Sequence, residues 1–512
     1  MMSTGSKAPR AEPRPWAIGI LVVLVALATA LPIPATNGDI VLVLLPVGAI
    51  LALYLLFNVP LRYPALAILF LGMTLETPSA PLASGLYTSP IHMVGWFLLT
   101  HWNGFVGISA FVFSGLDLFL IYVFAMSYYR RSIGSRIDGG GIVDMPPPLR
   151  RFAWVTIGGA ILVEVWGVTR SGFDFSNSLW QVEHAAYLPL FFLAFSLTFK
   201  RPNDVIAVGK VILAAAVFRA VLAVCIRNFV HPNDVETMPT ATTHDDSLLF
   251  AGGFALCLAL TAEIPTRKNK LLCAVVLPIL VWAMVANNRR IVWVELALAL
   301  AVLFVVMPTT ALKRKMIRWV IIAAPIVALY LAVGWNQKGG VFRGAAVVRS
   351  IVEPDTDGSS KWREEENLDL IVTLQSSPLL GLGFGHEYIG PIRIENVYVQ
   401  EHYLPHNSLL GIWAFGGIVG FGLNWTFLVV GSFMASRAYK RVKRPIDRVA
   451  SIWVLQMLMI YMDHAFGDIG LGCTTGVLLV GSALAVVGKL ALASGGWPAK
   501  VEARHRMPPA PT

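Results

Sequence analysis

An all-α, polytopic membrane helical bundle of about 12–14 transmembrane helices, with one large outer loop, is the fold class that the sequence predicts. Three observations predict it. Of the 512 residues, 56% are apolar and only 14% are charged, whereas a soluble domain carries about 25% charge. Apolar runs of about 18 residues recur along the whole chain, each long enough to cross a bilayer as a helix. Lysine and arginine gather in alternate connections, the asymmetry of a threaded chain.

The elements follow in order. The first run, Trp16 to Leu31, follows a basic, proline-rich start, and no small-residue cleavage site stands out. It reads as a retained helix and not as a signal peptide. Spans are expected near 16–34, 39–57, 63–77, 106–128, 153–169, 185–199, 203–225, 248–264, 271–286, 291–308, 319–334, 407–434, 449–465 and 471–493, with 92–100 as a re-entrant or interfacial piece. Both termini then lie in the cytoplasm, and most of the 40 Lys and Arg fall inside, among them Arg130–Arg131, Arg150–Arg151 and Lys313–Arg318. The net charge of +10 is therefore a topology signal. A nucleic-acid partner is not expected, because no soluble basic face exists to bind one. Cys225, Cys257, Cys273 and Cys473 lie in or beside apolar stretches and read as small core residues.

The chain divides into N-terminal membrane helices (1–240), membrane helices carrying an Arg289/Arg290 turn (241–334), a large outer loop (335–405), C-terminal membrane helices (406–495) and a cytoplasmic tail (496–512). The outer loop is far longer than an ordinary connection. Trp362, Leu368, Ile371 and Leu374 recur at helical spacing, with Ser359 or Ser360 as N-cap and Glu364 to Glu366 in the first turn. The stretch Pro378-Leu-Leu-Gly-Leu-Gly-Phe-Gly385 ends that helix in a glycine-rich turn, so the loop is expected to form a small folded cap. All of the ten histidines except His505 also fall on the outer side.

Chemistry is expected at that face. Tyr403-Leu-Pro-His-Asn-Ser408 leads into an apolar run, and Pro405 suits the first turn of a helix. His406 then sits at the positive end of a helix dipole, which favours a neutral, proton-accepting imidazole. It could equally serve only to hydrogen-bond a neighbour. Gly417 lies about three turns on, so it is expected to share a helix face with His406. Asn287-Asn-Arg-Arg290 puts two arginines in an outer turn, where they need a polar cavity, lipid head groups or an acidic partner such as Glu295. Arg343, Arg349, Arg363 and Arg393 add to them. Guanidinium forks suit phosphate oxygens, so their convergence would make a diphosphate site that needs no metal. Asp463, near the outer end of a span beside His464, is a further candidate, as is Asn407. The group His231, His244, Asp245 and Asp246 has no spacing typical of a catalytic metal motif.

The Asn-Asn-Arg-Arg turn, the outer loop ending in Pro378-Leu-Leu-Gly-Leu-Gly-Phe-Gly385, and His406-Asn-Ser followed by Gly417 together resemble the O-antigen ligase and O-antigen polymerase superfamily. The likeness is carried by residues 240–470. It implies a GT-C-like membrane glycosyltransferase in the bacterial inner membrane, working at the periplasmic face without metal or other cofactor. Such an enzyme moves a glycan from undecaprenyl diphosphate to an acceptor, another glycan or a lipid A core. A chain-length regulator protein is a further partner that the resemblance suggests. By the same likeness His406 is the catalytic base, and Arg290 (or Arg289) and Arg363 are the catalytic arginines. Arg289, Arg343, Arg349, Asn407 and Asp463 are expected as substrate-binding residues from their place at the outer face. Two departures stand out: the family's Ser-Arg-Gly turn reads Asn-Arg-Arg-Ile here, which keeps Arg289 beside Arg290, and Leu374 stands where a glycine would follow Arg363.

The chain's length leans toward a polymerase. A polysaccharide flippase or ion-coupled exporter is the competing class, with Lys210, Arg219, Glu164 and Glu295 as its intramembrane charges. A non-catalytic assembly subunit is a third.

Overall fold

The structure, a computed structural model, describes residues 54–75, 92–103, 112–135, 147–201, 203–230, 241–308, 311–337, 342–353, 358–391 and 402–496, with a few isolated positions besides. The two spans expected at 16–34 and 39–57 lie almost wholly outside the described residues, as do His231 and Arg393.

Fifteen α-helices follow in chain order among the described residues, and no β-strand. They are α1 (Arg62–Thr74), α2 (His92–Leu99), α3 (Gly115–Ser132), α4 (Pro147–Val168), α5 (Phe175–Thr198), α6 (Asp204–Cys225), α7 (Asp245–Glu263), α8 (Arg267–Asn287), α9 (Ile291–Val306), α10 (Ala311–Gly334), α11 (Arg343–Val352), α12 (Gly358–Ser376), α13 (Ser408–Arg441), α14 (Pro445–Gly467) and α15 (Thr474–Ala493). Eight of them are long and apolar enough to cross a membrane, as a polytopic all-α bundle requires. Local chemistry sets their ends. Ser114 and Asp117 form a reciprocal capping box on α3, Asp174 caps α5, Thr266 caps α8, and Pro445 opens α14.

Burial grades from the middle outward. Helices α14 and α15 bury most of their spans, α4, α6 and α8 about a third, and α10 none. A lipid environment permits an apolar helix to stay so exposed. Polar bonds fasten the central helices. Trp453 Nε1 donates to Gly252 O at 2.8 Å, and Gln456 Nε2 donates to Ala299 O at 2.9 Å. Arg219, fully buried in α6, grips Asp246 at the start of α7 through two bonds of 2.9 and 2.5 Å and also reaches Thr74 O at 3.3 Å. Removing one partner of such a pair costs about 3–5 kcal/mol. Glu164 accepts from Ser178 Oγ at 2.9 Å, Glu295 pairs with His464 at 2.7 Å, and Lys210 is exposed. Three of the four charges that could have served an exporter are thus engaged between helices.

The feature that positions the site is a break in α13. Gly417 has φ 58° and ψ −167°, a left-handed backbone that releases neighbouring groups from the helical ladder. Pro378–Gly383 takes them up. Leu382 N and Gly383 N donate to Ala414 O and Phe415 O at 3.1 and 2.7 Å, and Ile418 N and Val419 N donate to Pro378 O and Leu379 O at 2.9 and 3.2 Å. Broken helices inside a bilayer persist only with such substitute partners. Trp166 Nε1 fixes the segment from α4 by donating to Gly381 O at 3.0 Å, and Gln181 Oε1 accepts from Gly385 N at 2.6 Å. Phe384 and Tyr388 end up buried. The glycine-rich stretch therefore does more than end α12: it enters the bundle, because glycine alone lets its backbone approach the backbones of α4 and α13 so closely.

Candidate active site

Four helix ends meet around a cavity of about 450 Å³. The start of α9 supplies Arg290, Ile291 and Val294. Helix α12 supplies Ser360, Arg363, Glu366 and Asn367; the approach to α13 supplies His406 and Asn407; the end of α14 supplies Asp463 and Phe466.

The Asn287–Arg290 turn shows how sequence places side chains. Asn287 is buried and accepts from Thr242 N and Oγ1 at 3.0 and 3.2 Å, which fastens the end of α8. Asn288 takes the left-handed conformation at φ 53° that stops the helix; asparagine tolerates it better than other side chains do. The chain reverses there and delivers Arg290 to the cavity, where its Nη1 donates to Ser360 Oγ at 3.1 Å.

His406 lies two residues before α13. Its expected place in the first turn is corrected because Asn407 is the N-cap, accepting from Leu410 N at 3.1 Å, so Pro405 precedes the helix. His406 and Gly417 accordingly do not share a helix face. A buried carboxylate holds the histidine instead. Its backbone N–H donates to both oxygens of Glu366 at 3.1 and 3.2 Å, Nδ1 stands 3.5 Å from Glu366 Oε1, and Trp362 meets the ring edge-on at 4.7 Å. Glu366 has no solvent exposure. Asn407 Nδ2 donates to Asn367 Oδ1 at 3.0 Å, a second tie between α12 and the start of α13. The N-cap expected for α12 at Ser359 or Ser360 is also corrected, since both lie within the helix, which begins at Gly358.

Arg363 is fixed from the α14 side. Its Nη1 donates to Gly467 O, and its Nη2 lies 3.6 Å from Asp468 Oδ2. Asp468 is buried beyond the end of α14 and pairs with His244 as well. Burial alone would raise its carboxyl, but His244, Arg363 and His464 outweigh that and hold it well below the usual carboxylate range. Arg289 belongs to the same cluster: burial pulls it down to about 10, with Asp468 opposing and Arg363 adding to the effect. It remains a cation at neutral pH.

Residues 273–424 match the family model described as O-antigen ligase. Over that stretch the chain is similar to the O-antigen ligase family. That match supports the resemblance to the O-antigen ligase and polymerase superfamily and a membrane function of ligase or polymerase type. No curated protein matches the chain. The O-antigen ligase match takes in the Arg289–Arg290 turn, α12, His406 and the Gly417 break, whereas Asp463 and Asp468 lie beyond it.

His406, Arg290, Arg363, Asn407 and Asp463 come together in one cavity, and Arg289 sits just behind it. Arg349 does not join them: its Nη1 donates to Trp335 O at 3.0 Å. Arg343 opens α11, and its side chain lies outside the described residues. Two residues that bear on the site, Glu366 and Asp468, escaped the sequence reading. Glu366 was visible only as one of three consecutive glutamates, and the Asp468 signal was its place one residue past an apolar run. Among the described residues one group could hold a metal ion, Asp245, His464 and Cys473, whose donor atoms lie within 4.8 Å of one another. It does not line the cavity, and Cys473 is already occupied as the cap of α15, accepting from Gly476 N at 3.2 Å.

Proposed function

We propose that the protein is a membrane glycosyltransferase that moves a glycan from undecaprenyl diphosphate to a sugar hydroxyl, in surface polysaccharide assembly of O-antigen polymerase or ligase type. The observation that carries this is the meeting of His406, backed by a buried Glu366, with Arg290 and Arg363 around one cavity. His406 takes the proton of the acceptor hydroxyl as its oxygen attacks the anomeric carbon. The bond from that carbon to the diphosphate breaks, and Arg290 and Arg363, with Arg289 behind them, stabilise the charge that develops on the leaving group. The attack inverts the anomeric centre in one displacement. Glu366 steadies the imidazolium formed meanwhile.

Asp463 lines the same cavity, and its carboxylate is suited to a sugar hydroxyl. Ile291, Val294 and Phe466 make an apolar side, and Val294 and Phe466 are exposed on the bundle exterior. A prenyl chain can lie along that side while its diphosphate meets the arginines. The cavity faces the periplasm in this scheme, with both termini cytoplasmic.

The test is reconstitution with a lipid-linked oligosaccharide, with product length read on a gel. His406→Ala should insert normally, bind the donor and lose about 10² to 10⁴ in rate, whereas Arg290→Ala and Arg363→Ala should weaken donor binding as well as turnover. In cells, the His406→Ala strain should accumulate single lipid-linked repeats outside the membrane. Accumulation on the cytoplasmic side would instead identify a flippase.

A further inference from the structure

The other end of the bundle holds a second, larger cavity of about 640 Å³. It lies where α5, α13 and α15 finish and α6 and α14 begin. The 23-residue α14 runs from this end to the His406 cavity, a path of about 35 Å at ~1.5 Å per residue. Six cationic side chains line it: Lys200, Arg201, Arg441, Lys443, Arg444 and Lys489. Only two carboxylates accompany them, and both are engaged. Asp204 accepts from Arg201 N at 2.7 Å and pairs with Arg62 at 3.7 Å, while Asp447 lies 3.6 Å from Arg444.

The lining is two-sided. Lys489, on α15, turns its ammonium to Ser196 O and Phe199 O, and Phe199, Val205, Val486 and Leu490 form an apolar wall. Arg201, Arg441 and Lys443 are exposed at the rim, and among the described residues no carboxylate pairs with them. Like charges held together at helix ends repel unless an anion lies between them. A soluble phosphate would satisfy the rim but not the wall. A phosphate carried on a glycerolipid satisfies both, since its glycerol and upper acyl carbons lie against apolar side chains while guanidinium forks hold the phosphate oxygens.

We propose that this cavity holds the phosphate head group of an anionic phospholipid. The site is distinct from the His406 cavity, and glycosyl transfer plays no part in its occupancy. It fastens the ends of α5, α13 and α15 to the beginnings of α6 and α14 at the level of the lipid head groups.

The experiment is native mass spectrometry of the full-length protein in neutral detergent, titrated in parallel with phosphatidylglycerol, phosphatidylcholine and inorganic phosphate. The unmodified protein should retain phosphatidylglycerol at least tenfold more strongly than phosphatidylcholine. The triple variant Arg201→Gln, Arg441→Gln, Lys443→Gln removes three exposed charges and should lower phosphatidylglycerol retention on the order of 100-fold, with phosphatidylcholine unaffected. If the triple variant is unstable, Lys443→Glu alone should lower retention by about tenfold. Equal retention of the two lipids, or retention of phosphatidylglycerol unchanged in the variants, overturns the proposal. Inorganic phosphate bound as tightly as the lipid assigns the cavity to a soluble anion and overturns it as well.

Discussion

Glu366→Gln isolates the electrostatic part of the proposed mechanism. The substitution keeps the shape of a side chain that has no solvent exposure, and its remaining oxygen can still accept from His406 N. What it removes is a negative charge 3.5 Å from His406 Nδ1. In the resting enzyme that separation marks a weak hydrogen bond, so little ground-state binding is lost. In the transition state the imidazole is gaining a proton. At an effective dielectric constant of about 20, a full charge pair at this distance is worth ~4–5 kcal/mol. With the proton half transferred, about 2 kcal/mol is at stake, roughly a 30-fold fall in rate. The assay is initial-rate transfer from a lipid-linked oligosaccharide, with kcat and KM for the donor measured separately and a thermal melt as the check on folding. The expected result is a kcat lowered on the order of 30-fold, a donor KM that does not change, and recovery with Glu366→Asp greater than with Glu366→Gln. A folded Glu366→Gln variant with kcat within about threefold of the parent would refute the idea that this carboxylate supports the base.

Other perturbations test the surroundings. Asp468→Asn should loosen Arg363 and raise the donor KM. Since the folded carboxyl lies below its unfolded value of about 3.9, its stabilisation is full above that pH and is lost as pH falls further. The melting difference between parent and variant should accordingly narrow below about pH 4. Gly417→Ala meets both a left-handed backbone and the Leu379–Leu380 backbone, so it should destabilise by at least ~1–2 kcal/mol, seen as a lower melting temperature in detergent. Transfer activity in purified membranes should survive EDTA; loss restored by a divalent ion would point instead to Asp245, His464 and Cys473.

The sequence carried the membrane class because apolar length is a local property, and each run announces itself. The candidate cavity was legible in outline for a different reason. His406, Arg290 and Arg363 stand out as ionisable groups in places where a membrane protein rarely puts them, and the cavity collects all three. The sequence could not show which acid would hold which base. Glu364, Glu365 and Glu366 look alike in a row, and only the packing of α12 turns the third inward. Arg349 and Arg363 were likewise equivalent as loop arginines until Trp335 claimed one and Gly467 the other. The start of α13 was misplaced because Pro405 and Asn407 are both good helix openers two residues apart, and the Asn407 side chain won.

The exchange of backbone hydrogen bonds between Pro378–Gly383 and the broken α13 has a consequence for biogenesis. The donors and acceptors of 378–383 emerge from the ribosome 32 to 40 residues ahead of the partners they need at 414–419. Until the later segment is synthesised, the earlier one has nothing but water to bond, so it has to wait outside the hydrocarbon and thread back between α4 and α13 once both are present. Insertion of α13 is therefore not complete when that helix has been delivered to the lipid; a loop must still return. Insertions between the loop helices should be tolerated during that delay, whereas a single added residue within 378–383 would put its backbone bonds to 414–419 out of step.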